Sequence, residues 1–247
     1  MKGSTLLVVV AIVSGVAVLC ALGTWQVYRL QWKEALIAQV ESRITSPPVA
    51  LAQVEERWGE TRDVDFQPVS LSGKFDHSAE QYYYNTYKGQ AGWNVYTPLR
   101  LGDGRTALVN RGFVPEPLRD PSTRADGLLL GVVELTGLAR NPPAKKPNSF
   151  MPDNEPQKRI YFWKSIDEMA TAAGLDRGEL VPFFVDAGES PTPGGWPLGG
   201  TTRVSFPNNH LQYAITWYGL ALALLAVGVA FLRSRRGGAA DGRFGRN

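Results

Sequence analysis

The chain has a single cysteine among 247 residues, which excludes an internal disulfide, a cysteine-rich zinc site and an iron–sulfur cluster. Two histidines leave no material for a poly-histidine metal centre. Catalytic signatures are missing as well. There is no Gly-x-Ser-x-Gly, no Walker loop, no Gly-x-Gly-x-x-Gly after a strand and no His-Glu-x-x-His. A membrane-tethered hydrolase would need a nucleophile–base pair that the sequence does not offer, so the chain is expected not to be an enzyme. The basic excess is also deceptive. Residues 233–247 hold five Arg and one Asp, while the remainder holds 21 basic and 22 acidic side chains. The positive balance is therefore a tail effect, and no nucleic-acid-binding face is expected.

Charge itself is absent from two stretches. Gly3 to Tyr28 carries none, and neither does Leu211 to Leu232, a run of 22 residues. At about 1.5 Å rise per residue the second run reaches about 33 Å, enough to cross the hydrocarbon core of a lipid bilayer. The first run can also be read as a cleaved signal peptide, with Lys2 before it and Ala21-Leu22-Gly23 as a small-x-small site. Its length and its unbroken passage into Trp25-Gln26-Val27-Tyr28-Arg29, an interface anchor, favour a retained span. A lipoprotein reading through Cys20 is disfavoured by the bulk of Leu19, and Cys20 reads as a small apolar filler. The arginines after the second span (Arg233, Arg235, Arg236, Arg243 and Arg246) place it inside by the positive-inside rule. The expected layout is a first span at 4–28, its helix continuing to about 46, and an external, periplasmic domain at 33–207. A second span at 211–232 and a basic cytoplasmic tail at 233–247 complete it. With no transit peptide visible, this describes a multi-pass protein of the bacterial inner membrane with both termini cytoplasmic.

Between the spans the pattern is that of strands. Val69, Leu71, Gly73 and Phe75 alternate with polar residues, and Gln81–Tyr87 is rich in tyrosine. Asn94–Leu101 and Thr106–Val114 flank Gly102-Asp103-Gly104, a hairpin turn. Leu128–Leu138 and Leu180–Asp186 read as further strands. Short helices are expected near Leu51–Trp58 and at Ser165–Ala173, with Ser165 as N-cap and Gly174 as the stop. Pro and Gly dominate Ser190 to Gly200, a loop. The fold class is therefore an α+β membrane protein, two transmembrane helices flanking a mainly antiparallel β domain, barrel- or sandwich-like.

His77, at a strand exit, reads as a surface turn residue. His210 stands where the chain enters the second span, capped by Asn208 or Asn209. His210, Tyr213 and Trp217 are spaced i, i+3, i+7 and share one helical face; Trp25, Arg29 and Trp32 share a face of the first helix. Both stripes fall at the outer end of their spans. An imidazole, a guanidinium and several aromatic rings together suit a flat, amphipathic macrocycle such as haem: imidazole ligates the iron, rings pack on the porphyrin and Arg pairs with propionates. The same residues equally suit an aromatic interface belt with a snorkelling Arg and a capping His.

The motifs Leu22-Gly23-x-Trp25-Gln26-x-x-Arg29-Leu30-x-Trp32-Lys33, Val69-x-Leu71-x-Gly73-x-Phe75, Tyr96-Thr97-Pro98 and Asn110-Arg111-Gly112-Phe113-Val114-Pro115 stand in order along the chain. Gly137-x-x-Arg140, Pro147-Asn148, Phe184-Val185-Asp186 and Asn208-Asn209-His210-Leu211-Gln212-Tyr213-Ala214-x-Thr216-Trp217 follow. In this order and layout the sequence resembles the Surfeit locus protein 1 family, membrane factors for cytochrome c oxidase assembly. Phe113 stands where Trp is common in the family, a mild departure. The resemblance implies a role in building the haem-containing subunit of an aa3-type oxidase. It implies transient binding of haem A, or its transfer from haem A synthase to the catalytic subunit, with His210 as the iron ligand. Arg29, Trp25, Tyr213 and Trp217 join His210 as candidate cofactor-binding residues on spacing alone. The partners expected are that catalytic subunit, the synthase and the bilayer. A cofactor-free scaffold for an oxidase subunit is the alternative. The segment Asn110–Pro115 reads as structural, Gly112 serving a bend and Arg111 a buried pairing.

Overall fold

The computed structural model describes residues 3–202 and 206–241, and they form two compact units. One contains residues up to 39 together with those from 205 onward; the other spans Val40–Val204.

The first unit is a pair of helices. α1 (Gly3–Ile44) is continuous over 42 residues, its last turn belonging to the second unit, and α4 (His210–Asp241) runs for 32. Both are long and apolar enough to cross a membrane, and most of their apolar surface is exposed, unlike that of a core helix in a soluble protein. The helix of α4 passes through the first of the tail arginines to Asp241; Arg243 and Arg246 lie outside the described residues. The two helices pack antiparallel. Ile12 meets Gly228, Leu224 lies over Gly15, and the ring of Tyr218 lies over Gly23. A side chain at Gly23 would put its Cβ 2.9 Å from that ring, so glycine here sets how closely the helices approach. Beside it, the hydroxyls of Thr24 and Tyr218 are hydrogen-bonded at 2.9 Å. On α4 the buried residues Ala214 and Ala221 carry the seam down the helix from His210.

The second unit is a β barrel. Its strands are β1 (Val49–Ala50), β2 (Pro68–Phe75), β3 (Gln81–Tyr87), β4 (Gln90–Leu101), β5 (Thr106–Pro115), β6 (Val132–Arg140), β7 (Ile160–Tyr161) and β8 (Leu180–Ala187). The sheet order is β1-β2-β6-β8-β5-β4-β3-β7, and an added pairing of β2 with β4 closes five of them into a ring. Closure depends on β4, whose first half pairs with β3 and whose end, Leu99–Leu101, pairs with Gly73–Phe75 of β2. Pairing in the ring is antiparallel except between β5 and β8. β6 starts at Val132, so Leu128–Gly131, expected to be its beginning, is not strand; a turn with Gly131 at φ 82° comes first.

Each ring strand sends alternate residues inward: Val69, Leu71, Leu99, Ala107, Val109, Ala139, Val181, Phe183 and Val185 form the core. α2 (Leu51–Thr61) adds Val54, with the Trp58 ring 6.0 Å from that of Phe183. The opposite faces of β4, β5 and β8 are buried too, because α3 (Ile166–Ala172) lays Met169 over Tyr96, Leu108 and Phe184. Ser165 caps α3, its side chain accepting from the Glu168 N–H at 3.3 Å, a bond of a kind that contributes about 1 kcal/mol.

Candidate functional site

At the outer end of the helix pair the first residue of α4 meets α1. His210 Nδ1 lies 2.7 Å from Oε1 of Gln26, and Gln26 is 8% exposed in a helix whose neighbouring faces are largely bare. An amide oxygen only accepts, so Nδ1 is the donor in this pair, and in the neutral imidazole the lone pair is then on Nε2. This is the arrangement in which metal-binding imidazoles are held: one nitrogen fixed by an outer partner, the other presented to the metal. The His210 N–H donates to Asn208 Oδ1 at 3.4 Å, while Asn209, whose carbonyl accepts from the Tyr213 N–H at 3.2 Å, holds the N-cap position.

The remaining candidates are distributed around this pair. Trp217, two turns along α4, is half-buried on the seam face with Ala214 and Ala221. Tyr213 is 55% exposed, off the seam. On α1, Arg29 stacks its guanidinium over the Trp32 ring at 4.4 Å, and Trp25 and Trp32 are both more than half exposed. The Trp25–Arg29–Trp32 stripe therefore points away from α4, and the residue of α1 that reaches His210 is Gln26. Sequence spacing did not single out Gln26, because it was matched to the aromatic stripe and not to the seam. The signal was present: Gln26 follows Gly23 by three residues, the spacing of one helical face.

The second histidine is not a surface turn residue. His77 has 13% of its side chain exposed; Nε2 is 3.0 Å from the Leu129 carbonyl and Nδ1 is 3.3 Å from Glu80. Apart from Glu80, its partners lie far away in sequence, which is why a local reading put it at the surface. Glu80, 1% exposed, is the hub of this cluster. Arg124 clasps both of its carboxylate oxygens, Arg111 Nη1 stands 3.5 Å from Oε1, and the hydroxyl of Tyr82 donates to Oε2 at 3.3 Å. Burial pushes the Glu80 carboxyl up, but His77, Arg124 and Arg111 outweigh it and hold it below the ordinary glutamate range. The pairing expected of Arg111 is thus found. At Gly112 the chain takes φ 124° and passes so close to the Leu198 carbonyl that a Cβ would stand 1.8 Å from its oxygen.

Among the described residues, no three His, Cys, Asp or Glu side chains gather to hold a bare metal ion. Two apolar helices that share a part-buried His–Gln pair, with a small closed barrel between them in sequence, define a membrane-helix-bearing β-barrel protein. The SURF1 family model matches residues 13–222, which takes in the barrel and part of each long helix. The chain is 41% identical to Surfeit locus protein 1 of Rattus norvegicus over 219 residues, covering 82% of this chain and 68% of the relative. It is 38% identical to the human protein of the same name, covering 82% and 70%. To the SURF1-like protein of Monosiga brevicollis it is 38% identical over 245 residues, covering 94% and 89%. The chain belongs to the SURF1 family.

Proposed function

We propose that this chain is a membrane-anchored assembly factor for an aa3-type cytochrome c oxidase, and that it takes up haem A as cargo and helps deliver it into the catalytic subunit. The observation that carries this reading is the His210–Gln26 pair: a histidine whose Nδ1 proton is committed to an amide oxygen offers Nε2 as a ligand. The residue types nearby suit the cargo. Trp217, half-buried on the seam face that begins at His210, supplies a ring for the macrocycle, whereas Trp25, Arg29 and Tyr213 lie off that face and are not assigned to the cargo. Bound haem supplies an iron to be ligated; the chain's own part is to hold the imidazole in one tautomer and exclude none of the cargo's later partners. A single neutral axial ligand suits a carrier, which must release what it holds, and no turnover is assigned to it. The two helices cross a bacterial inner membrane with both termini inside and the barrel in the periplasm. That topology is supported by the arginines from Arg233 onward. Haem A synthase is the donor and the oxidase catalytic subunit the acceptor.

The test is a reduced-minus-oxidised spectrum of the detergent-purified chain from cells that make haem A, as wild type and as His210→Ala. A haem A band in the wild type, lost in a variant that is still folded, is the expected result. A band that survives the substitution removes His210 from the site. No band in either, with haem A present in the membranes, transfers the reading to a cofactor-free scaffold for an oxidase subunit.

A further inference from the structure

The Glu80 cluster is unbalanced, and the excess faces a cavity. The forked contact of Arg124 with both Glu80 oxygens already answers that carboxylate. Arg111 brings a second guanidinium, its side chain only 5% exposed, and among the described residues its one carboxylate bridge is the 3.5 Å contact with the same Glu80. Two buried cations thus share one buried anion. Desolvation is costly for a cation without a full counter-charge, and a protein retains such a group where something else supplies the charge.

Arg111 lines a cavity of about 80 Å³ together with Phe75, Leu129, Glu134, Leu135 and Ser190. Its guanidinium carbon sits 5.0 Å from the centre of the Phe75 ring. It is braced by the Gly127 carbonyl, which accepts from its Nη2. Leu129 is tied into the same frame by its carbonyl, which meets His77 Nε2 at 3.0 Å. The group is thus rigidly presented on the wall of a largely apolar chamber.

We propose that this cavity binds a small monocarboxylate with a short aliphatic tail, its carboxylate paired to Arg111. A guanidinium presents N–H donors that match the two oxygens of a carboxylate. Phe75, Leu129 and Leu135 suit an alkyl tail and offer nothing to the further oxygens of a phosphate. Glu134, exposed on the lining, repels a second negative charge and so selects monoanions. At about 30 Å³ per water molecule the volume is that of roughly three, which limits the acid to a few carbons. Burial pushes the Arg111 guanidinium down to about 10, which leaves it a cation at neutral pH.

The probe is butyrate labelled with carbon-13 at the carboxyl, titrated against the full chain in neutral detergent and read by the shift and width of its carboxyl resonance. A saturable response is expected, with affinity on the order of millimolar for so small a ligand. Arg111→Gln should weaken it about ten- to hundredfold, the loss of a charge-assisted bond. Because Arg111→Gln can also disturb the Glu80 cluster, Ser190→Trp serves as the second variant; it fills the chamber from an exposed loop position and should abolish the response with the unfolding temperature unchanged. Inorganic phosphate should not compete. A wild type without a saturable response, an unaltered response in Ser190→Trp, or displacement of butyrate by phosphate would overturn the proposal.

Discussion

His210 and Gln26 stand 184 residues apart in sequence and 2.7 Å apart in space, Nδ1 to Oε1. One bond therefore does two things: it ties the start of α4 to α1, and it fixes which imidazole nitrogen is protonated. Replacing Gln26 with Leu removes both. The expected cost to the helix pair is about 1 kcal/mol, the usual scale for a polar contact between membrane helices. Nitrogen-15 NMR of histidine-labelled protein without haem should show the Nδ1–H tautomer of His210 in the wild type and a mixture in the variant. An unchanged tautomer in Gln26→Leu would mean that another group sets it.

Gly23 should be the residue that fixes helix spacing. With a Cβ already 2.9 Å from the Tyr218 ring, Gly23→Leu must push that ring aside and break the Thr24–Tyr218 bond. In a Cys20→Ser background, cysteines placed at Ile12 and Gly228 should crosslink readily, because Ile12 and Gly228 pack against one another. Adding Gly23→Leu should slow that crosslinking severalfold, and an undiminished rate would show that the seam tolerates bulk.

The barrel should be sensitive to acid through Glu80. Its carboxyl titrates below the ordinary glutamate value because the cationic groups around it overcome burial. A depressed carboxylate contributes stability that is complete above its unfolded-state value of about 4.5 and is lost as pH falls through the lower folded value. Chemical denaturation followed through the tryptophans should therefore show wild-type stability declining below about pH 4.5. Glu80→Gln should lose about 3–5 kcal/mol at neutral pH, since it leaves two buried guanidinium groups facing each other, and its acid slope should be flatter. Equal slopes would assign the acid sensitivity to other carboxylates.

Gly112 should tolerate no side chain. Gly112→Ala combines an unfavourable φ of 124° with a collision against the Leu198 carbonyl, which is also the acceptor of the Phe113 N–H at 2.9 Å. The loop that carries Leu198 should detach from β5, at a cost of several kcal/mol. Limited proteolysis should cut that loop in the variant and spare it in the wild type; a resistant variant would contradict the close approach.

Local signals made much of this architecture legible. The bounds of β3 follow directly from its richness in tyrosine, and α3 from Ser165 as its cap and Gly174 as its stop. The apolar runs announced both long helices. Long-range relationships were not legible. Closure of β2 onto β4 and the parallel pairing of β5 with β8 depend on register between distant segments, which no local pattern encodes. β1 and β7, two residues each, are too short to show alternation. The site divides the same way. His210 could be named from its position at a helix start, whereas Gln26 emerged only from the side of α1 that α4 covers. His77 was misread because its partners, Glu80 apart, come from elsewhere in the chain.

Ring closure also has a colloidal consequence. An open sheet of eight strands would present two long unpaired edges, each a template on which another chain could add. Here every strand of the ring has a neighbour on both sides, and the sheet ends in β1 and β7, strands of only two residues. Free backbone is confined to β1, β7 and the few residues of β3 beyond Tyr83 that β7 does not reach. For a domain whose anchors would confine it to a two-dimensional surface, where local concentration is high, that is a safeguard against edge-to-edge aggregation written into the topology.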